Sequence, residues 1–537
     1  MKSFAVALMY IATLFAFSAC GSGGGNTTVS KDSSDITINL KEMKHLGSVD
    51  ERFQSYNVEM VEVVGGEFWK PYKLMDSLPS LAISSTYDIS QKNDAMYRKL
   101  SPVNLADKRL LTLAKSLAPA YMRVSGTWAN AIYFQDNDEP QMKKAPAGFV
   151  NVLTRSQWKA VIDFVKETGS KLVTSFSVSN GVRDASGVWT PKEAQKIVNY
   201  TKSMGGEIAA AELFNEPSMP TAGGEIKKNY DGHDFARDVY AYRTWAKQQA
   251  PDMTLLGPGS VMEGLAGGGS SMGITLLTTD SMMSAEPKPV FDAFSYHMYG
   301  AASIRMMRSG PFSIKAENAL EFAWLRKTDS VTSYYGRLRD KYNPGKPLWI
   351  TETAEAAAGG DPFAATYLDC FRYLYQLGSS AKHGVKVVIH NTLAASEYSL
   401  VDQDTHLPKP NYWAALLWAK LMGTEVYEAG DGQPGVYLFA HNTKGQADGI
   451  TILAINTNKE SSSVNIPADA LQYVLTSKEI QGETVMLNGS ELKLDANDEL
   501  PQIKGNAIKS GNATLPALSI NFFTFSKKND KITAAKQ

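Results

Sequence analysis

The sequence predicts an α/β chain built as a (β/α)8 TIM barrel with a C-terminal β-sandwich domain, and three observations carry that expectation. Eight short apolar runs between residues 53 and 390 alternate with amphipathic helical patterns, the signature of βα units around a parallel sheet. After Leu421 the helical periodicity stops, and short Val, Ile, Leu, Tyr and Phe runs follow, punctuated by Gly, Asn, Asp and Ser. A doubly wound open sheet would normally place a Gly-rich phosphate turn after its first strand, and none is present.

The first strand is read at Phe53–Glu59, and residues 65–103 form a long insertion before its helix. Leu110, Leu113, Ala114 and Leu117 space as one helix face, and Ala120–Val124 is the second strand. Trp158, Val161, Ile162 and Val165 repeat the helix face, Gly169 closes it, and Leu172–Phe176 is the third strand. Ala194, Ile197 and Val198 precede a fourth strand at Ile208–Phe214. Phe235, Val239, Tyr242 and Ala246 precede a fifth at Met253–Gly257. Phe291–Tyr296, Leu348–Thr351 and Val385–His390 complete the eight, so the barrel spans 50–421 and the sandwich 422–527. Upstream, Ile36–Leu40 alternates apolar and polar residues, and the 36–49 segment is expected to add a strand to the sandwich.

The N-terminus carries Lys2, an apolar run from Phe4 to Phe17, and small residues before Cys20, the layout of an export signal over 1–19. Phe17-Ser18-Ala19-Cys20 resembles a bacterial lipobox, with Phe where Leu is usual. The expectation is a lipid-anchored protein of the bacterial cell envelope, acylated at Cys20 and tethered by the Gly/Ser-rich 20–35 segment. The apolar run is too short for a membrane span, which wants ~20 residues. Cys370, the other cysteine, falls on a helical face with Phe363, Tyr367 and Leu374, so no intrachain disulfide is expected once Cys20 is acylated. The tail 528–537 reads as frayed. With 54 Lys+Arg against 55 Asp+Glu, the chain has no bulk charge that would draw nucleic acid or other polyanions.

In a (β/α)8 barrel, functional residues sit where strands give way to loops at the C-terminal face. Glu216, in Leu213-Phe214-Asn215-Glu216-Pro217, follows the fourth strand, and Glu352, in Trp349-Ile350-Thr351-Glu352, follows the seventh. These strands oppose each other across the barrel mouth, so two carboxyls face one another over a bound sugar. A retaining glycosidase needs that pair: one carboxylate attacks the anomeric carbon and the other group, as an acid, protonates the leaving oxygen. The two must hold different protonation states at one pH, which burial and a like-charge neighbour produce. Glu216 is assigned as general acid/base, Glu352 as nucleophile, and Asn215 as a donor to the sugar 2-hydroxyl.

These motifs resemble the paired glutamates of the clan of (β/α)8 retaining glycosidases. Further segments narrow the resemblance to glycoside hydrolase family 79, the heparanase and bacterial β-glucuronidase family. They are Leu117 to Arg123 with Gly126-Thr127, then Tyr296-His297-Met298-Tyr299, and Gly384 through Tyr398 to Trp413. The resemblance spans roughly 50–525 and implies no cofactor and cleavage of β-linked glucuronic acid with retention. It implies that Glu59 and Thr127 bind the cleaved sugar and that His297 and Tyr299 flank the nucleophile. It also implies that the amides of Ala358 and Gly359, with Tyr398, take the uronate carboxylate, Ala358 standing where the family has glycine. Asp88 competes with Glu59 for the same alignment.

Other chemistries find little support. Among the 7 histidines there is no His-x-x-x-His, and the single Glu-x-x-His, Glu42 to His45, precedes the barrel, so no metal is expected. Gly269-Ser270-Ser271-Met272-Gly273 has the spacing of a nucleophile elbow, but a Gly-rich run stands where that turn needs a strand. No Walker sequence is present. The expected activity is release of terminal β-linked glucuronic acid from glycan or proteoglycan chains. The rivals are an endo-acting enzyme of the same family and a non-catalytic glycan-binding lipoprotein.

Overall fold

A computed structural model describes residues 36–75, 96–223, 226–265, 275–430 and 432–526. The export signal, Cys20, the tether, Asp88, the Gly269–Gly273 loop and the tail all lie outside the described residues. No helix among the described residues is long and apolar enough to cross a membrane.

Eight parallel strands close into a barrel in sequence order: β1 (Gln54–Glu59), β2 (Tyr121–Ser125), β3 (Lys171–Ser175), β4 (Ile208–Glu212), β5 (Thr254–Ser260), β6 (Ala293–Ala302), β7 (Leu348–Ala357) and β8 (Val385–His390). Each expected strand is present, but several ends move. β4 stops at Glu212, two residues before Phe214, whereas β5 runs on to Ser260, β6 to Ala302 and β7 to Ala357. Glu352 therefore lies within its strand rather than past its end. The 65–103 insertion contains a hairpin, Gly66–Trp69 paired with Tyr97–Leu100.

The helices form where the apolar periodicity meets capping residues. Arg155–Thr168 is a clear case: Thr154 and Gln157 make a reciprocal capping box, Gly169 ends the helix in the left-handed region, and Trp158, Val161, Ile162 and Phe164 face inward. Trp158 Nε1 donates to Thr201 Oγ1 of the next helix at 2.8 Å, so this burial leaves no unmet donor. Cys370 is fully buried in the helix Tyr367–Lys382.

Ile132–Gln135 pairs in parallel with Asn151–Thr154 as a separate two-stranded sheet, and the other strands form two packed sheets. One takes His45–Ser48, Met422–Tyr427, Val436–Thr443, Gln446–Asn456, Ser519–Phe525 and Ala470–Thr476 in that order. The other contains Ile36–Thr37, Ser462–Ile466 and Gly511–Leu515, with Ile36–Thr37 running parallel to Ser462–Ile466. Between them lie Ile36, Ile38, Leu438, Ile452, Val464, Leu515 and Phe523.

Candidate active site

Inside the barrel, residues two apart on a strand face the lumen, and their character changes with height. Tyr121, Val173, Ala210, Leu256, Ala293 and Trp349 make an apolar floor, in which the Tyr121 and Trp349 rings lie 5.1 Å apart. One step higher come Asn57, Arg123, Glu212, Ser295 and Thr351, all fully or almost fully buried. Arg123 organises this layer. Its Nη1 donates to Asn57 Oδ1 at 3.0 Å and Glu352 Oε2 at 2.9 Å, and its Nη2 donates to Glu212 Oε2 and Asn215 Oδ1, each at 2.8 Å. Glu212 also accepts from Ser295 and Thr351 hydroxyls, both at 2.7 Å. Burial opposes its charge, yet Arg123 and His297 hold its carboxyl well below the usual range.

Glu352 reaches the lumen because β7 is irregular. Tyr296 pairs with Ile350 but His297 with Glu352, so Thr351 is an extra residue, and Thr351 and Glu352 both turn inward. Arg123 holds one Glu352 oxygen and Tyr299 the other, its hydroxyl donating to Oε1 at 2.7 Å. Burial and the facing Glu352 charge keep the Tyr299 phenol protonated far above its ordinary range. Glu216 comes from the loop after β4, at a positive φ of 55° that a non-glycine residue adopts only where its surroundings impose it. One of its carboxylate oxygens lies within 4.8 Å of one on Glu352.

His297 stands between the two acids. Its Nδ1 is 3.0 Å from Glu216 Oε1 and 3.8 Å from Glu352 Oε2, and its Nε2 is 3.3 Å from Arg123 Nη2. Burial disfavours the charged ring, but Glu352, Glu212 and Glu216 outweigh it and push it up to about 9. The Arg123 contact suits the neutral ring with its hydrogen on Nδ1, and the carboxylates suit the cation. In both states Nδ1 carries hydrogen and donates to Glu216. Burial and then Glu352 raise the Glu216 carboxyl above the ordinary range, with the His297 hydrogen bond pulling it partly back.

The other expected residues gather around this pair. Glu59, Thr127, Tyr299, Ala358 and Tyr398 line one cavity with Glu216 and Glu352, and its wall is completed by Trp69, Trp128, Met219, Val261, Met262 and Met306 among others. Asn215 lies beneath, with Nδ2 unpartnered among the described residues. Glu59 Oε1 accepts from Asn391 Nδ2 at 3.0 Å, and Oε2 has no hydrogen-bond partner among the described residues. Burial, then Glu352, lift its carboxyl well above the usual range. Gly359 adjoins the cavity beside Trp69, where an added Cβ would lie 2.8 Å from the indole.

Three contributors escaped the sequence reading: Arg123, Glu212 and Asn391. Asn391 Nδ2 links Glu59, the Tyr299 hydroxyl at 3.0 Å and the Tyr398 hydroxyl at 3.2 Å. It directly follows β8, where the strand-end rule points. Glu216, His297 and Glu352 also have the composition of a metal-ligand set. A cation seated on these atoms would face the Arg123 guanidinium, already 2.9 Å from Glu352 Oε2, so the donor set fits a divalent ion poorly.

Residues 91–378 match the profile described as "Glycosyl hydrolase family 79, N-terminal domain". The chain is 27% identical over 479 residues to the hyaluronoglucuronidase of Hirudo nipponia, covering 80% of this chain and 91% of that protein. It is 26% identical over 543 residues to heparanase of Mus musculus, covering 88% and 94%. A solved structure of a thermostable α-L-arabinofuranosidase from Thermotoga petrophila shares the fold, with TM-score 0.61 at 12% identity over 92% of this chain and 100% of that one. With the matched segment spanning more than half its length, the chain belongs to glycoside hydrolase family 79.

Proposed function

We propose that this glycoside hydrolase is a retaining, exo-acting β-glucuronidase that releases terminal glucuronic acid from glycan or proteoglycan chains. The observation that carries this reading is the approach of Glu216 and Glu352 oxygens within 4.8 Å over one cavity. Retention requires carboxyls ~5–5.5 Å apart, and inversion needs room for a water, at ~6.5–9.5 Å.

In the first step a Glu352 oxygen attacks the anomeric carbon. The bond to the leaving oxygen breaks, and Glu216 gives that oxygen its proton. In the second step Glu216, now a carboxylate, takes a proton from water, whose oxygen displaces Glu352 at the same carbon. Arg123 and Tyr299 each hold one Glu352 oxygen and so aim the carboxylate. Asn215 Nδ2 donates to the 2-hydroxyl, and Glu59, Thr127 and Asn391 take other hydroxyls. The Ala358 and Gly359 amides and the Tyr398 hydroxyl receive the uronate carboxylate. The name of the Hirudo nipponia relative, a hyaluronoglucuronidase, supports glucuronic acid as the sugar. The Trp69 hairpin, packed on Gly359, walls the cavity beside that turn, and the described lining holds no Lys or Arg to follow a sulfated chain, which supports exo action. The lipobox-like sequence supports attachment to the bacterial envelope through Cys20, and Cys20→Ser should then move the protein from the membrane to the soluble fraction.

The test is hydrolysis of an aryl β-glucuronide and the matching β-glucoside by wild type and Glu352→Gln, with the first-formed anomer followed by NMR. The reading expects a β-configured product, preference for the glucuronide and loss of turnover in the variant. A first-formed α-anomer, or full activity of Glu352→Gln, would overturn the mechanism, and preference for the glucoside would overturn the sugar assignment.

A further inference from the structure

If the substrate carries a carboxylate, the site faces an electrostatic problem. Glu59, Glu216 and Glu352 already line the cavity, and Arg123 is committed to Glu212 and Glu352. An incoming anion needs donors and positive potential from elsewhere.

Arg305, fully buried, stands behind the turn that follows β7. Ala358, Gly359 and Gly360 all have positive φ, 66°, 83° and 77°, and each of their carbonyls accepts from residues that do not line the cavity. Arg305 Nη1 donates to Ala358 O at 3.2 Å and to Gly360 O at 2.7 Å. Ser303 Oγ donates to Ala358 O at 2.9 Å, Tyr72 Oη to Gly360 O at 3.1 Å, and the Glu397 amide to Gly359 O at 3.0 Å. Neither the Ala358 nor the Gly359 amide donates to an acceptor among the described residues. A peptide unit whose oxygen is held by a cation has a more polarised N–H at its other end, and the Ala358 carbonyl shares its unit with the Gly359 amide. Through Nη2, Arg305 also donates to Lys70 O at 2.9 Å, fixing the hairpin that carries Trp69, and its guanidinium lies 3.8 Å over the Tyr72 ring. Glu397 Oε1, 3.6 Å from Nη2, is shared with the Tyr72 amide at 2.9 Å.

We propose that Arg305 is a specificity-determining positioning residue: it locks the Ala358–Gly360 turn with its amides toward the cavity and sets a positive charge behind them for a substrate carboxylate. This rests on the glucuronidase reading above and names what makes the site select a uronate over a neutral sugar.

The experiment compares kcat/KM for the 2,4-dinitrophenyl β-glucuronide and β-glucoside in wild type, Arg305→Gln, Arg305→Lys and Ser303→Ala. In Arg305→Gln the glucuronide value falls ~100-fold, chiefly through KM, while the glucoside value stays within ~3-fold. Arg305→Lys recovers part of the loss because it restores the charge. Ser303→Ala removes one donor to the Ala358 carbonyl and gives a smaller shift in the same direction, and it decides the matter if Arg305→Gln does not fold. Equal losses on both substrates, or an unchanged ratio in the variants, would overturn the role of Arg305 while leaving the glucuronidase reading intact. A wild type with no preference for the glucuronide would overturn that reading and this inference with it.

Discussion

Glu59 rests against Gly126 so closely that a methyl group added at Gly126 would lie 1.5 Å from Glu59 Oε2. The glycine, at φ 90°, follows β2, and the acid ends β1, so the contact fixes where a cavity carboxyl sits between two neighbouring strands. Glycine is required there twice over, by the backbone angle and by the space.

Gly126→Ala should displace Glu59 and lower kcat/KM on an aryl glucuronide by ~10- to 100-fold, beyond the effect of backbone strain alone. Gly169→Ala is the control. It has φ 69° and nothing within 4 Å, so it should cost ~1 kcal/mol of stability and leave kinetics unchanged. Equal kinetics in the two variants would show that the Glu59 position does not matter to turnover.

Glu216→Gln should separate substrates by leaving group. With an alkyl or sugar leaving group, which needs a proton, kcat/KM should fall by ~10³-fold or more. With 2,4-dinitrophenolate, which leaves unassisted, formation of the glycosyl-enzyme should be slowed far less. Pre-steady-state release of the phenol measures this, and a uniform loss on both would argue against an acid role.

His297→Phe should move the basic limb of the kcat/KM profile upward. Glu216 must be protonated to act as an acid, and the His297 hydrogen bond lowers its carboxyl toward the ordinary range. Losing that bond raises Glu216 further, so the limb should shift to higher pH, alongside a lower maximal rate. An unmoved limb would mean that His297 orients Glu216 without tuning it.

Glu355→Gln should stabilise the protein near pH 7 and not near pH 4. Burial, then Asp361 and Asp369, push the Glu355 carboxyl well above the usual carboxylate range, and its Oε2 accepts the Asp361 amide at 3.0 Å. The unfolded chain ionises near 4.5 while the folded chain withholds ionisation, so wild-type stability declines as pH climbs from there toward the folded-state value. Glutamine does not titrate, so its advantage should grow as pH rises from 4 toward neutrality. Thermal melts at the two pH values measure it, and equal Tm differences at both would contradict it.

Much of the scaffold was legible because strand and helix periods repeat eight times, and a shift of a few residues at any one end does not change the count. The ends themselves were not. β7 continues through Thr353-Ala354-Glu355-Ala356-Ala357, a stretch with little apolar bulk, and nothing in Ile350-Thr351-Glu352 announces the extra residue that turns two neighbours inward. Strand-end reasoning still pointed to Glu216 and Glu352, and the barrel brings both to one cavity on the C-terminal side of the lumen. It missed Arg123 and Glu212, which sit inside their strands and do their work one layer lower. The available signal was a charged residue within the otherwise apolar Tyr121-Met122-Arg123-Val124, which a lumen-facing position explains and a solvated one does not.

The sandwich is assembled from both sides of the barrel. Ile36–Thr37 and His45–Ser48 precede the first barrel strand, yet their partners, Ser462–Ile466 and Met422–Tyr427, come after the last barrel helix. Such pairings close a loop that contains the whole catalytic barrel. During synthesis the early strands must therefore wait, edges open, until nearly the entire polypeptide has left the ribosome. The barrel is the insert in this topology and the sandwich is the clasp, so a nascent chain stalled short of residue 466 would hold a nearly finished catalytic barrel inside an unfastened frame.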